Sequence, residues 1–358
     1  MIIARAPLRI SFVGGGTDLP DFYRRSPGRV ISAAIDQYVY AVINYTPLVH
    51  KVTVRYSVAE TVDHPSLLRH DRARAALLDL GIHSNTEIGF FAHLPARTGL
   101  GSSSSLAVSL VKGLAAYQGR KIDRREAAEA AARLEIELLG EPVGKQDQYA
   151  AAFGGLNVFQ FNADESVEVE PVLIDYRRRL HLEEHLLLFF TGITRLASSV
   201  LTEQKANIAE KFGTLEAMAD SVLEFRSRLV AGDFRGMGEM LHRGWEQKKT
   251  LASNVSNAII DALYDAGMNA GAWGGKVLGA GGGGCIMFLV PIEHKPAIRE
   301  AVAEAAARNN LEEFEEIPVR FVQSGAELVF NAGGIPQKMG SAAPLHLPPV
   351  EYGLERKT

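Results

Sequence analysis

The feature that most constrains how this chain can fold is a glycine- and serine-rich run that leads directly into an apolar stretch. The run spans Pro95 to Ser105 and continues into the helix-compatible residues Leu106 to Ala116. Glycines let the backbone turn tightly close to a ligand, and serines supply hydroxyls and helix-capping oxygens. The unpaired N–H groups at a helix start attract anions, so we predict a loop that binds a nucleotide phosphate. A flexible Gly/Ser linker is the alternative, which the apolar helix after the loop disfavours.

Length and composition indicate a globular protein of two domains. The 358 residues exceed what one hydrophobic core usually serves. Of these residues, 47% are hydrophobic and 22% are charged, as in ordinary well-packed proteins. We place an N-terminal domain at residues 1–190, a C-terminal domain at 191–334 and an irregular tail that contains several prolines at 335–358.

Charge, cysteine content and hydropathy restrict the partners and the compartment. A net charge of −4 and a pI near 6.2 argue against a nucleic-acid partner. Cys285 stands alone, so it cannot form an internal disulfide, which is typical of a reducing compartment. The N-terminus lacks the layout of a signal peptide, and no apolar run is long enough to cross a membrane. We therefore expect a cytoplasmic protein without a membrane partner, and we leave a homodimer open.

Hydrophobic periodicity and turn signals predict strands and helices along most of the chain. The predicted strands are Leu8–Val13, Tyr38–Asn44, Leu156–Phe161, Leu186–Phe190 and Ile286–Val290. The predicted helices are Asp123–Leu139, Leu201–Leu251, Ser256–Met268 and His294–Asn309. Asp123 with Glu126 matches a capping box, and Gly140 stands where a helix C′ glycine belongs.

Three glycine-rich segments, Gly14–Gly16, Gly99–Ser105 and Gly279–Gly284, suggest a site that backbone approaches from several sides. Three other sequence patterns for nucleotide or metal binding are present, but the residues around them do not fit the pattern. Gly279–Gly284 fits the dinucleotide pattern, but it opens a strand instead of a helix. Gly140–Lys145 is one residue too short for a Walker loop and lacks its Ser or Thr. His181–His185 fits a zinc-peptidase pattern, but a buried strand follows directly, whereas that pattern needs a helix.

Glu135 is the one charge on an otherwise apolar face of the predicted helix 123–139. The residues that share this face are Ala128, Ala131, Ala132, Leu138 and Leu139. A carboxylate on a buried face is costly unless it is paired or bound to a metal. A buried ion pair is one explanation. A magnesium ion held together with a nucleotide is the preferred one, because Mg²⁺ is a hard cation that takes oxygen ligands.

Three further charged residues are candidates for chemistry. Asp147 lies just past this helix, where we expect it to stand beside Lys145, and it could orient or deprotonate an attacking hydroxyl, or simply cap the next turn. Asp18 could hold substrate hydroxyls or stabilise a turn. Arg9 lies in the strand before the first glycine segment, where it could bind phosphoryl oxygens or form a structural salt bridge.

Together these segments resemble the GHMP kinases, the superfamily of galactokinase, homoserine kinase, mevalonate kinase and phosphomevalonate kinase. The first family motif matches Ala6–Asp18, the second matches Pro95–Ser105 and the third matches Lys276–Cys285. The match keeps the order of the family from Ile2 to about Phe330. It departs from galactokinase after the first strand, where Gly14–Pro20 replaces the run Gly-Glu-His-x-Asp.

Within the superfamily, three stretches are similar to the bacterial D-glycero-D-manno-heptose 7-phosphate kinases. They are Gly14–Pro20, Gly144–Tyr149 and Thr191–Arg195. Fucokinase kinase domains share part of this pattern. The resemblance implies an α+β fold of two domains, an N-terminal domain of the ribosomal-protein-S5-like domain 2 type and a C-terminal ferredoxin-like domain.

The resemblance also implies ATP and Mg²⁺ as cofactors and a role for each matched residue. The implied nucleotide-binding residues are Gly99, Leu100, Gly101, Ser102, Ser103, Ser104 and Ser105. Ser103 and Glu135 would bind the magnesium, Asp147 would face the attacking hydroxyl, and Arg9 would stabilise charge during transfer. The implied substrate-binding residues are Gly16, Thr17, Asp18, Lys145, Arg195, Gly281, Gly282 and Gly283.

The implied reaction is phosphorylation of the C1 hydroxyl of D-glycero-D-manno-heptose 7-phosphate to the 1,7-bisphosphate, for GDP-heptose and surface-polysaccharide synthesis. A phosphorylated sugar needs a second basic pocket. The candidates are Lys145, Arg195, Lys248 and Lys249. We prefer Arg195 because a guanidinium group binds phosphate in a bidentate manner.

Two other functions stay open at this point. One is a GHMP kinase for an unphosphorylated sugar, similar to fucokinase or galactokinase. The other is a non-catalytic sugar and nucleotide sensor, which predicts loss of Arg9, Glu135 or Asp147; all three are present.

Overall fold

The computed structural model describes residues 1–194 and 197–332, apart from the side chains of residues 197–199. The strands are β1 (Ile2–Val13), β2 (Gly28–Tyr45), β3 (Val52–Arg55), β4 (Ala59–Val62), β5 (Thr86–Ala92), β6 (Leu156–Phe161), β7 (Val167–Pro171), β8 (Leu186–Phe190), β9 (Gly274–Val277), β10 (Cys285–Leu289), β11 (Glu315–Glu316) and β12 (Glu327–Asn331). The helices are α1 (Pro20–Tyr23), α2 (Asp71–Asp79), α3 (Ser102–Tyr117), α4 (Arg124–Ala132), α5 (Gln146–Phe153), α6 (Tyr176–Glu184), α7 (Ala197–Asn207), α8 (Phe212–Ala231), α9 (Phe234–Lys249), α10 (Ala258–Asn269) and α11 (Lys295–Arg308). A π-helical turn covers Arg133–Leu138, and 3₁₀ turns cover Pro65–Leu67 and Ile292–His294. None of these described helices is both long and apolar enough to cross a membrane. The predicted tail at 335–358 lies outside the described residues.

The strands form two sheets with helices packed against them, which confirms the predicted α+β class. The first sheet has the order β12-β1-β2-β5-β3-β4, with β6 pairing with β2 and β7 with β6. The second sheet has the order β11-β8-β10-β9 and is antiparallel. Numbered along the chain, its strands lie in the order 4-1-3-2, with helices after the first and third strands. This βαββαβ arrangement is ferredoxin-like.

The sheets divide the chain at other positions than the predicted boundary at residue 190. β8 ends at that residue but belongs to the second sheet, whereas β12 pairs antiparallel with β1 in the first sheet. The predicted boundary puts these two strands on the wrong sides because the composition does not shift near residue 190 and because pairing between distant segments leaves no local signal.

Two predicted helices are interrupted. The helix predicted at 201–251 is three helices, since Gly232 takes φ +81° after α8 and Asp233 caps the start of α9. The helix predicted at 123–139 begins with the expected capping box but passes into the π-helical turn. A π turn holds an additional residue, so the apolar face rotates, and Leu138 is 40% exposed instead of buried.

The segment His181–His185 is more helical than the sequence analysis assumed. α6 contains its first four residues, and His185 is the residue that ends the helix. His185 Nδ1 lies 2.7 Å from the Val290 carbonyl. The described part of the chain contains no group of three or more His, Cys, Asp or Glu residues that could hold a metal ion. The reason taken from the sequence against a zinc site, the lack of a helix, is therefore wrong for the first four of these residues.

A hydrophobic cluster shared by the two sheets brings the glycine-rich segments together. It contains Phe12 from β1, Leu100 from the second segment and Leu278 from the third. The backbone just before the second segment also meets the backbone just after the third, because Cys285 N donates to the Thr98 carbonyl at 2.8 Å. The cluster thus positions the site described next.

Candidate active site

A cleft of about 600 Å³ opens where the three glycine-rich segments meet. The residues of these segments that line it are Gly15, Gly16, Gly99, Gly101, Ser102, Ser103, Ser104, Gly279, Ala280, Gly281 and Gly283. The first segment follows β1, the second opens α3, and the third joins β9 to β10. Three segments far apart in the sequence therefore line one cleft.

The start of α3 lies at the wall of this cleft. Gly101 precedes the helix with φ +77°, a conformation that favours glycine, and no side chain caps the first turn. The serines were expected to act partly as caps, but Ser102 already belongs to the helix, and Gly101 takes the cap position instead. The first turn also carries no acidic residue. An uncapped helix start without negative charge attracts a phosphate group.

Two residues of the implied nucleotide-binding set face the protein instead of the cleft. Leu100 is fully buried in the shared cluster, and its carbonyl accepts from Arg9 N at 3.0 Å. Ser105 is also fully buried, and its hydroxyl donates to the Pro7 carbonyl at 2.8 Å. Both contacts fasten the loop to β1, so these two residues shape the loop and do not face a ligand.

Arg9 and Asp147 form a bidentate ion pair in the cleft. Arg9 Nε donates to Asp147 Oδ1 at 2.8 Å, and the second nitrogen donates to Oδ2 at 2.7 Å. Arg9 also donates to the Gly99 carbonyl at 2.7 Å. The Asp147 side chain lies in the first turn of α5 and is 28% exposed, whereas that of Arg9 is 4% exposed. A charge-assisted pair in this position fixes the carboxylate beside the helix start.

Asp18 lies on the other side of the cleft and is held by backbone donors. Its Oδ1 accepts from Gly16 N at 3.2 Å, and its Oδ2 accepts from Gln146 N at 3.1 Å. Gly144 permits this approach, because a Cβ there would lie 2.1 Å from Asp18 Oδ2. Burial, and then the nearby charge of Asp147, raises the pKa of Asp18. Asp18 therefore stabilises a turn and also presents a polar surface to the cleft.

Glu135 is fully buried beside the first turn of α3. Its Oε1 accepts from Ser103 Oγ at 2.7 Å, and its Oε2 accepts from Ser104 Oγ and Gln148 Nε2, both at 2.6 Å. Arg72 from α2 pairs with Glu135 Oε1 at 2.9 Å. The structure therefore contains the buried ion pair that the sequence analysis left open as the alternative to magnesium.

The oxygens of Ser103 and Glu135 nevertheless fit a magnesium ion. A hydroxyl and a carboxylate oxygen 2.7 Å apart are hard donors of the kind that Mg²⁺ prefers. Arg72 contacts both of these groups and also Glu141, at 2.7 Å, so a guanidinium group is the cation that they meet in this structure. With two protein ligands, the rest of a magnesium shell would have to come from phosphate oxygens and water.

Comparison with known proteins identifies the family to which a chain with this cleft belongs. The family model described as the GHMP kinases N terminal domain matches residues 68–155, which include the start of α3, Glu135 and Asp147. The model described as GHMP kinases C terminal matches residues 225–313, which include the third glycine-rich segment. The chain belongs to the GHMP kinases. It is an ATP-dependent phosphotransferase with a hydroxyl group as acceptor.

The most similar relatives of this GHMP kinase include heptose kinases. A Campylobacter jejuni protein named D-glycero-alpha-D-manno-heptose 7-phosphate kinase is 28% identical over 309 residues, which are 81% of this chain and 89% of that protein. A structure described as D-glycero-D-manno-heptose 1-phosphate kinase from Bacteroides thetaiotaomicron superposes with a TM-score of 0.74 at 26% identity, covering 91% of this chain and 98% of the other. Lactococcus lactis galactokinase complexed with galactose shares the fold, with a TM-score of 0.71 at 20% identity over 91% and 94% of the two chains.

Several residues of the implied substrate set do not face the cleft. Lys145 donates to Glu165 at 2.6 Å instead of standing beside Asp147, so the cation next to Asp147 is Arg9. Gly282 donates its N–H to the Val255 carbonyl at 2.6 Å and holds the loop in place. Arg195, the preferred phosphate ligand, lies outside the described residues. Of the third segment, Gly281 and Gly283 line the cleft.

The structure also corrects the prediction that Thr17 binds the substrate. Thr17 is fully buried and holds the first glycine-rich segment in place. Its hydroxyl lies 2.8 Å from the Gly14 carbonyl and 2.9 Å from the Arg29 carbonyl, and it accepts from Arg29 N at 3.0 Å. These contacts leave no donor for a substrate.

We expect Thr17→Val to lower the free energy of unfolding by about 1–3 kcal/mol, because buried backbone groups lose their partner. Denaturant unfolding measures this change, and Thr17→Ser, which keeps the hydroxyl, should stay close to the wild type. A higher KM for the sugar in Thr17→Val, without any loss of stability, would show that Thr17 contacts the substrate after all.

Sequence reasoning missed three residues that shape the cleft. Arg72 and Gln148 bind Glu135 from segments whose sequence carries no signal for that contact. Lys276 was missed because β9 was not predicted as a strand; the structure buries this strand throughout, and a lysine there needs a polar or anionic partner.

Proposed function

We propose that this GHMP kinase transfers the γ-phosphoryl group of ATP to the C1 hydroxyl of D-glycero-D-manno-heptose 7-phosphate. The product is the 1,7-bisphosphate, which would serve nucleotide-activated heptose for surface polysaccharides. The observation that carries the proposed reaction is the Arg9–Asp147 pair beside the uncapped start of α3. The name of the Campylobacter jejuni relative supports the heptose 7-phosphate. The Bacteroides thetaiotaomicron structure is named for a 1-phosphate instead, so the position of transfer has to be tested on the product.

In this proposal the helix start and Arg9 share the charge of the transferred group. Phosphoryl transfer requires mainly an in-line arrangement of the reacting oxygens and neutralisation of negative charge. The first-turn N–H groups at Ser102 to Ser104 bind phosphate oxygens, and Gly99 and Gly101 leave room for them. The Arg9 guanidinium, held by Asp147 and by the Gly99 carbonyl, adds positive charge at the reacting centre.

Asp147 is the proposed acceptor of the hydrogen bond from the attacking hydroxyl. An anomeric hydroxyl is more acidic than an ordinary alcohol, so the main contribution of the Asp147 carboxylate is to orient this hydroxyl. The proton passes to Asp147 Oδ as the new oxygen–phosphorus bond forms. Asp18, Gly16, Gly281 and Gly283 face the same space and are the proposed contacts to the sugar.

Ser103 and Glu135 are the proposed protein ligands of Mg²⁺. They would hold the ion, which would supply positive charge to neutralise part of the charge on the ATP phosphates. The protein keeps both ligand oxygens in place through Ser104, Gln148 and Arg72, which leave little freedom to the Glu135 carboxylate. This second set of contacts orients the ligands before the nucleotide binds.

An ADP-release assay across a panel of sugars tests the proposed substrate. The panel contains D-glycero-D-manno-heptose, its 7-phosphate, its 1-phosphate, L-fucose and galactose. We expect the largest kcat/KM for the 7-phosphate, by about 10²-fold over the unphosphorylated heptose, because a site built for a polar group rejects a substrate that lacks it. A larger kcat/KM for L-fucose or galactose would replace the proposal with a kinase for an unphosphorylated sugar.

A further inference from the structure

Two buried lysines face the cleft without a carboxylate partner. Lys248, in the last turn of α9, is 6% exposed, and Lys276, in β9, is 7% exposed; both line the cleft. Each ammonium group donates to one backbone carbonyl, Lys248 to that of Gly279 and Lys276 to that of Phe12. Within residues 1–194 and 197–332, neither forms an ion pair. An ammonium group buried without a counter-charge is costly, and an anionic ligand would remove that cost.

The charged groups around these lysines leave positive charge in excess. Arg9, Lys248 and Lys276 are the cations, and Asp18 and Asp147 are the carboxylates that face Lys248. Asp147 is engaged with Arg9, and Asp18 accepts from two backbone N–H groups. Burial, and then the charge of Arg9, lowers the pKa of Lys248 to about 8. Burial, and then Lys248 and Arg9, lowers the pKa of Lys276 well below its usual value. A bound anion would favour the charged form of both lysines.

Two polar atoms of the same cleft also lack a partner. Ser11 Oγ and Gln146 Nε2 are buried and make no hydrogen bond to the residues that the structure describes. The two residues are 4% and 5% exposed, and both line the cleft. Buried polar groups in native proteins are nearly always satisfied. A hydroxyl and an amide N–H can both donate to a phosphate oxygen.

We infer that Lys248 and Lys276, together with Ser11 and Gln146, bind the phosphate monoester that the sugar acceptor carries. The inference rests on the proposed function, because the four residues would bind the phosphate group of the acceptor that is not transferred. A dianionic phosphate supplies both the missing charge and acceptors for all four groups. An unphosphorylated sugar leaves them unpaired, so the subsite determines specificity.

Inorganic phosphate is the probe for the first test. The protein is saturated with Mg²⁺ and the non-hydrolysable analogue AMPPNP, which fills the nucleotide site, and phosphate is then titrated while the melting temperature is measured. Lys249→Met is the matched control, since the neighbouring Lys249 pairs with Glu246 at 2.7 Å. We expect phosphate to raise the melting temperature of the wild type and of Lys249→Met, but not that of Lys248→Met or Lys276→Met. No stabilisation of the wild type, or equal stabilisation of all four proteins, overturns the inference.

Steady-state kinetics and nucleotide binding form the second test. We expect Lys248→Met to raise the KM for heptose 7-phosphate by about 10- to 100-fold, the loss of one or two charge-assisted hydrogen bonds. The KM for unphosphorylated heptose and the Kd for AMPPNP should not change. An equal rise for both sugars would assign the lysine to sugar hydroxyls, and weaker AMPPNP binding would assign it to the terminal phosphate of ATP; either result overturns the inference.

The two failures can be told apart. If no heptose phosphate is turned over but the phosphate titration depends on Lys248 and Lys276, the proposed function fails and the anion subsite stands. If heptose 7-phosphate is turned over and the lysine variants change the KM for heptose and for its 7-phosphate equally, the proposed function stands and the subsite fails.

Discussion

Replacing Asp147 with asparagine is expected to lower kcat by about 10³-fold while AMPPNP still binds with the affinity of the wild type. Asparagine keeps the shape of the side chain but carries no negative charge and cannot accept the proton of the attacking hydroxyl. It also disturbs the pair with Arg9, which the wild type makes through two hydrogen bonds of 2.8 Å and 2.7 Å. The coupled ADP-release assay gives kcat, and calorimetric titration gives the Kd for AMPPNP.

A matched control separates this effect from a general loss of charge. Asp164 lies in the exposed turn between β6 and β7, where it contacts Ser166, so Asp164→Asn should leave kcat unchanged. The melting temperature of Asp147→Asn shows whether the protein remains folded. A kcat near that of the wild type would remove Asp147 from the reaction, and a parallel loss of AMPPNP binding would make its role a structural one.

Replacing Glu135 with glutamine is expected to change both stability and the requirement for magnesium. The substitution leaves Arg72 without its buried counter-charge, and breaking a buried pair by removing one partner costs about 3–5 kcal/mol. Because the Arg72 side chain is 20% exposed and keeps Glu141 as a partner, we expect a loss near the lower limit, about 3 kcal/mol. The Mg²⁺ concentration for half-maximal activity should also rise, since a carboxamide is a weaker ligand than a carboxylate.

Two measurements distinguish the roles of this carboxylate. Denaturant unfolding without nucleotide reports the ion pair with Arg72, and a magnesium titration of activity reports the ligand role. The control is Glu137→Gln on the same helical turn, where the side chain is 68% exposed and neither quantity should move. A loss of stability with an unchanged magnesium titration would show that Glu135 forms the ion pair with Arg72 but does not bind magnesium.

Local sequence patterns predicted the parts of this site that depend on neighbouring residues. The loop that leads into α3 was predictable because glycines and serines before an apolar helix act through the local backbone. Glu135 was predictable because helical periodicity put one charge on an apolar face, and the structure buries it completely. The same periodicity failed for Leu138, since the π-helical turn between the two residues shifts the register of the face.

Side-chain partners from distant segments were not predictable in the same way. Asp147 was expected to stand beside Lys145 because the two are neighbours in the sequence, but residues two apart on a helix point in different directions. Lys145 reaches Glu165, and Asp147 meets Arg9 from β1. Arg72 reaches Glu135 from α2 only because both pack against the start of α3. Such contacts follow from the fold and leave no signal at either residue.

The position of the new phosphate on the product tests the central claim most directly. The enzyme is incubated with ATP, Mg²⁺ and D-glycero-D-manno-heptose 7-phosphate, and the purified product is examined by ³¹P and ¹H NMR. We expect a second phosphorus signal coupled to the anomeric proton, which the Asp147→Asn enzyme fails to produce in the same time. A product phosphorylated at any other carbon, or no product from this sugar while an unphosphorylated sugar is converted, would contradict it.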